Sequence, residues 1–266
     1  MNTISRLIAF MLFVTLMLSA PRLLFAQSPL DGSWRTNMDQ SKLSPKPIVF
    51  SVDAGRYDCS SCSPQIKIKA DGEDQSVTGQ AFDTESVKAI DPHSVQLVTK
   101  KNGKIIGETT RTVSNDGKTL TIKNTSHPEN SDQTVNSEVT LTRVGKAPAG
   151  ANGTSGSWRI NKVQESENGL TTTYNNSGGE LTMSKPTGES YTAKLDGKDY
   201  PAKGTYGYNS VSLRRIDDRT IEETDKRDGK VVEVSKITVT PDGKTMTVVA
   251  TSKLTDRTST YVAQKQ

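Results

Sequence analysis

Apolar and polar residues alternate with period two along most of this chain. The runs Ser94–Thr99 (SVQLVT), Val139–Arg143 (VTLTR), Tyr191–Leu195 (YTAKL) and Thr245–Val248 (TMTV) each put every second side chain on one face, which predicts half-buried β-strands. Asn-Gly or Asp-Gly pairs at 102–103, 116–117, 196–197, 228–229 and 242–243 lie between such runs. These pairs accept the positive φ that tight hairpin turns require. Strands joined repeatedly by hairpins form an antiparallel meander. With one apolar face, that meander must curl and close on itself or pack on a second sheet. A short helical turn fits after Asn37 (DQSK) or Asn161 (VQES), and no long amphipathic helix competes.

The pattern occurs twice. Gly32-Ser33-Trp34-Arg35-Thr36-Asn37 recurs as Gly156-Ser157-Trp158-Arg159-Ile160-Asn161, and Asp71-Gly72-Glu73-Asp74 as Asp196-Gly197-Lys198-Asp199. Ile90-Asp91 returns as Ile216-Asp217, Gly103-Lys104 as Gly229-Lys230, and Asp116-Gly117-Lys118-Thr119 as Asp242-Gly243-Lys244-Thr245. The order is kept and the offset drifts only from 124 to 126, which marks an internal duplication. Small residues, Gly and Pro at 145–155 read as a flexible linker. The expected organisation is therefore a first β-barrel over 27–144 and a second over 156–266, each folding alone.

Ahead of the repeats, Arg6 and the apolar run Leu7–Leu18 read as a secretory signal ending at Ala26. That run is too short for the ~20 residues of a membrane span. The expectation is an exported chain, periplasmic or extracellular, without stable membrane insertion after cleavage. Removing 1–26 takes away Arg6 and Arg22, so the formal charge of +4 falls to +2. Such a balance gives no electrostatic footprint for nucleic acid. Only 5% of residues are aromatic, and three of the five Phe lie in the signal segment, so Phe50, Phe82, Trp34, Trp158 and seven Tyr carry the remaining aromatic area.

Gly-Ser-Trp opening each copy, together with the paired hairpins, resembles the start of lipocalins and fatty-acid-binding proteins, the calycin group. The repeat also resembles small exported bacterial domains of uncharacterised function, through Gly-x-Trp, Asp196-Gly197-Lys198-Asp199-Tyr200-Pro201 and the Asp-Gly-Lys-Thr signature. The resemblance implies tandem all-β, lipocalin-like up-and-down barrels. It implies that each Trp closes one barrel end beneath a cation of the last strand, pairing Trp34 with Arg143 and Trp158 with Lys265. A cation over an indole face is attracted by the ring quadrupole.

Candidate chemistry is sparse. Cys59 and Cys62 read as a local disulfide stapling a loop, with metal binding or redox exchange as alternatives; no helix follows them to activate a thiol. His93 and His127 read as exposed loop residues. Glu222 and Glu223, adjacent on a strand, face opposite sides, and no paired acid–base site stands out. Tyr174, Tyr191, Tyr200, Tyr206, Tyr208 and Tyr261 concentrate in the second copy, where they either fill a Phe-poor core or line a pocket. No cofactor, metal site or catalytic residue is expected. The leading expectation is a binding module for a small hydrophobic or amphipathic ligand in the second barrel. The alternative is a structural or protein-interaction module of the cell envelope with filled barrels.

Overall fold

The computed structural model describes residues 28–129 and 131–266, so the expected signal peptide lies outside the described residues. In chain order the first copy supplies β1 (Gly32–Lys42), β2 (Ile48–Asp53), β3 (Arg56–Cys59), β4 (Ile66–Lys69), β5 (Gln75–Ser76), β6 (Thr84–Asp91), β7 (Ser94–Lys101), β8 (Lys104–Val113), β9 (Thr119–Ser126) and β10 (Val135–Gly145). The second supplies β11 (Gly156–Glu165), the single-turn helix α1 (Glu167–Leu170), β12 (Thr171–Ser177), β13 (Glu180–Ser184), β14 (Ser190–Lys194), β15 (Asp196–Lys203), β16 (Ser210–Asp217), β17 (Thr220–Arg227), β18 (Lys230–Val239), β19 (Thr245–Ser252) and β20 (Arg257–Lys265). Alternation and turn chemistry produce this meander as expected. Asn102-Gly103 and Asp228-Gly229, for instance, take positive φ at both positions, which matches the twist of the flanking strands. Asp196-Gly197 instead forms an irregularity at the start of β15.

All pairings within the two barrels are antiparallel, with ten strands in each sheet, yet the barrels do not follow the repeats. One barrel closes in the order β1-β12-β13-β14-β15-β16-β17-β18-β19-β20. The other sheet runs β4-β3-β2-β11-β10-β9-β8-β7-β6-β5 and is nearly closed. The Gly-Ser-Trp strand of each copy has thus been exchanged: β1 pairs with β12 and β20, and β11 pairs with β10 and β2. The expected units 27–144 and 156–266 are corrected accordingly. Strands β2 to β11 form one contiguous inserted barrel, and it interrupts a host barrel made of β1 and β12–β20.

The connections explain the exchange. A Gly-Ser-Trp strand fits the same gap in either copy, so the alternation that fixes its faces does not choose its partner. The segment between β10 and β11 is short enough to close a local hairpin, at a smaller entropy cost than a distant closure. Nor is 145–155 a flexible linker. The Asn152 amide donates to the Val52 carbonyl (2.9 Å) and the Gly153 amide to the Pro92 carbonyl (2.8 Å), while Thr154 and Ser155 are fully buried. This segment seals one end of the inserted barrel.

The chain crosses between barrels at 43–47 and at 166–170, and contacts hold both crossings. The Ser44 amide donates to Ser259 Oγ (3.0 Å), Arg257 donates to the carbonyls of Lys46 and Pro47, and Arg35 of β1 bridges to Glu167 of α1 (2.5 Å).

The exchange also corrects the closure pairs. The Arg143 guanidinium lies 4.0 Å over the Trp158 ring, and Lys265 Nζ lies 5.3 Å from the centre of Trp34. Each pair sits at one register position, Trp158 opposite Arg143 and Trp34 opposite Lys265. Both indoles are buried, and each donates its N–H to a carbonyl four residues back, Leu30 for Trp34 (2.7 Å) and Thr154 for Trp158 (2.8 Å). The first glycine of the signature is explained here. Gly32 and Gly156 have φ of 123° and 130°, and a Cβ would come within 2.6 Å of Lys265 Cε or 2.5 Å of Arg143 Nη1. Only glycine lets the cation lie across the strand at that point.

Candidate functional site: the acidic interior of the host barrel

Strand β17 turns Ile221, Glu223 and Asp225 inward by its period of two, while Glu222 faces out and bonds Arg214 (2.9 Å). In the register of the next strand, Asp225 stands opposite Glu233 of β18. The β13–β14 turn brings Lys185 and Glu189 to the same space, held by reciprocal backbone bonds between Lys185 and its neighbours Gly188 and Glu189. Lys185 Nζ lies 2.9 Å from Glu189 Oε2, and the Tyr208 hydroxyl donates to Glu189 Oε1 (2.7 Å). The Tyr191 hydroxyl donates to Glu223, and Ser235 Oγ donates to Glu233 (3.4 Å). Asp225 is 7% exposed, and its Oδ1 has no hydrogen-bond partner.

Lys185, Glu189, Glu223, Asp225, Glu233 and Ser235 border a cavity of about 290 Å³, whose walls also include Tyr174, Tyr208 and Tyr261. It adjoins a second cavity of about 500 Å³ at the junction of the barrels, lined by Met38 and Leu43 from the host side and by Ile48, Ile160 and Val163 of the inserted barrel. The two share Thr36, Glu233, Ala250 and Tyr261 as common walls.

Burial dominates the electrostatics. Removal from water pushes the carboxyls of Glu223, Asp225 and Glu233 above the usual carboxylate range, and for Asp225 the neighbouring Glu223 and Glu233 push the same way. Burial alone would lower the Lys185 ammonium, but the adjacent Glu189 carboxylate, with Glu223 and Glu165, more than offsets this and holds its proton on. Tyr174, Tyr191 and Tyr208 are pushed up by burial and by the same acids, so their hydroxyls remain donors. Among the described residues lining the cavity, Lys185 is the only cation, and Glu189 already occupies it. Glu223, Asp225 and Glu233 make no ion pair of their own, although Lys185 draws each of them partly back down. Such a set can receive a cation, or it can hold protons near neutral pH and donate them.

The six tyrosines divide. Tyr174, Tyr208 and Tyr261 line the cavity, and buried Tyr191 bonds one of its acids. Tyr200 lies outside it, partly buried against the core with its hydroxyl donating to Asp196 (3.0 Å), and Tyr206 sits half-buried in the loop before β16. Cys59 and Cys62 form a disulfide (S–S 2.01 Å) at the end of β3. His93 is exposed, and His127 Nε2 lies 3.3 Å from Glu108. Among the described residues no three His, Cys, Asp or Glu side chains converge as metal ligands.

Reading the sequence found the tyrosines and missed Lys185, Glu189, Glu223, Asp225 and Glu233. One signal was present: in Ile221-Glu222-Glu223-Thr224-Asp225, two acids share the parity of an apolar residue, so a strand that buries Ile221 also buries them. The contributions of β18 and of the β13–β14 turn depend on register and closure, which local pattern does not encode. No family model, curated protein or solved structure matches the chain.

Proposed function

We propose that the protein is an exported, non-catalytic binding protein whose host barrel takes a small, partly apolar ligand. The supporting observation is the cavity of about 290 Å³ with polar groups converging on one end and an apolar cleft at the other. A concave, mostly apolar site with a few fixed polar groups is the usual form of a small-molecule site. The ten-stranded meander and the Trp-cation closures agree with the calycin resemblance, in which an up-and-down barrel surrounds its ligand. The disulfide suits an oxidising compartment, in keeping with the expected export. The inserted barrel fits the second reading, a structural module, because Phe50, Val87, Leu97, Leu120 and Leu141 fill its interior. Its role is then to supply one wall of the junction cleft.

Nile red, a neutral apolar fluorophore, tests this reading in the full chain. Emission should rise with 1:1 stoichiometry and be lost in Ala250→Phe, which fills the space shared by the two cavities. Equal emission from wild type and the filled variant, or none from either, would overturn the binding reading.

A further inference from the structure

The interior of the host barrel is specified more narrowly than a generic apolar pocket. Asp225 Oδ1 is a buried polar atom without a hydrogen-bond partner, a state that is costly when nothing relieves it. No neighbour relieves it in the structure: Glu233 stands opposite without a hydrogen bond to it, and the ion pair of Lys185 goes to Glu189. A neutral apolar ligand would leave Asp225 unpaired, and an anion would meet three carboxyls. A hard metal ion needs several oxygens converging on one point, and no three acids do so among the described residues. An ammonium group instead offers three donors and no acceptor. The Tyr174, Tyr208 and Tyr261 rings in the same wall can face such a cation.

The adjoining cleft sets the rest of the ligand. Met38, Leu43, Ile48, Ile160, Val163 and Leu170 make its surface predominantly apolar, and its charged groups are Glu165, Glu233 and Arg257. Arg257 is turned to the carbonyls of Lys46 and Pro47. Resting on the binding role proposed above, we propose that the site is selective for a cationic amphiphile, a protonated alkyl- or arylalkylamine. Its nitrogen sits among Glu223, Asp225 and Glu233, and its apolar tail lies in the junction cleft. The ligand would then touch both barrels, and the exchanged strands β1 and β11 carry Thr36 and Ile160 to it.

Calorimetric titration of the full chain at pH 7.5 with n-octylamine, 1-octanol and octanoate separates the possibilities. Octylamine should bind roughly tenfold or more tightly than octanol, and octanoate should bind weakest. Asp225→Asn should weaken octylamine by about tenfold while leaving octanol within about twofold; the unchanged octanol affinity shows that the variant is folded. Octanol binding as tightly as octylamine, with both lost in Ala250→Phe, would overturn the amine selectivity and leave the binding role standing. Failure of all three probes to bind would overturn both.

Discussion

Val95, Leu97 and Thr99 of the inserted barrel stand where the host barrel, 126 residues later, has Ile221, Glu223 and Asp225. Gly107 likewise gives way to Glu233. The traffic also runs the other way: Glu85 and Arg111 of the inserted barrel correspond to Val211 and Ile237 of the host. In the inserted barrel Arg111 stacks 4.0 Å over Phe50 and 5.6 Å from Tyr57, and its hydrogen bond reaches the Tyr57 hydroxyl (3.3 Å). Burial pushes the Glu85 carboxyl up to about 7, with Arg111 pulling in the opposite direction. One acid and one base are thus set in a filled apolar core. The host barrel concentrates acids around empty space with too few cations to neutralise them. The same strand plan supports either interior, because inward positions are chosen by parity and a barrel wall accepts apolar or polar side chains there. The host interior is costly for the free protein, a cost that the proposed ligand site would account for.

The largest effect that would sharpen this comparison is Trp158→Ala. Emptying a fully buried indole should cost about 3–5 kcal/mol. Trp158 belongs by sequence to the second copy, yet the damage should fall on the inserted barrel. In hydrogen exchange, amides of Val87, Leu97 and Leu141 should lose protection before those of Val211 and Leu213. Loss confined to Val211 and Leu213 would show that Trp158 closes the other barrel.

A smaller effect, of opposite sign, is expected in the host barrel. The folded state holds protons on Glu223 and Asp225 more tightly than the unfolded chain does. Their contribution to stability is therefore fully present below the unfolded carboxylate range, near pH 4, and is lost as pH rises through the raised native values. The double substitution Glu223→Gln with Asp225→Asn should flatten this decline. At pH 8 to 9 it should stabilise the ligand-free protein by roughly 1–3 kcal/mol, and at pH 4 it should change little. Thermal melts across that range provide the check; equal destabilisation at both ends would mean that the acids are structural.

Most of the fold was legible in the sequence because period-two alternation and Asn-Gly or Asp-Gly turns are local signals. The duplication was legible from the recurring Gly-Ser-Trp and Asp-Gly-Lys-Thr residues, and the four closure residues from Trp34, Trp158 and the cations of the last strands. The choice of partner was not. Trp34 and Trp158 sit in nearly identical strands, so Arg143 and Lys265 were matched within each copy, and the crossings at 43–47 and 166–170 reversed that assignment. The acidic site was half visible, through the parity of Glu223 and Asp225. Its closure by Glu233, Lys185 and Glu189 arises from register across three strands and a turn.

Strand exchange is the premise on which the junction cleft and the proposed ligand depend, and cysteine cross-linking tests it directly. Thr36 of β1 stands opposite Ala263 of β20, while Leu141 of β10 stands opposite Ile160 of β11. In barrels that followed the repeats, Thr36 would face Leu141 instead. Oxidation of the full chain carrying Thr36→Cys with Ala263→Cys should yield a disulfide between those two positions, identified by mass spectrometry of proteolytic peptides. The pair Thr36→Cys with Leu141→Cys should stay reduced. A disulfide in the second variant and none in the first would contradict the exchange.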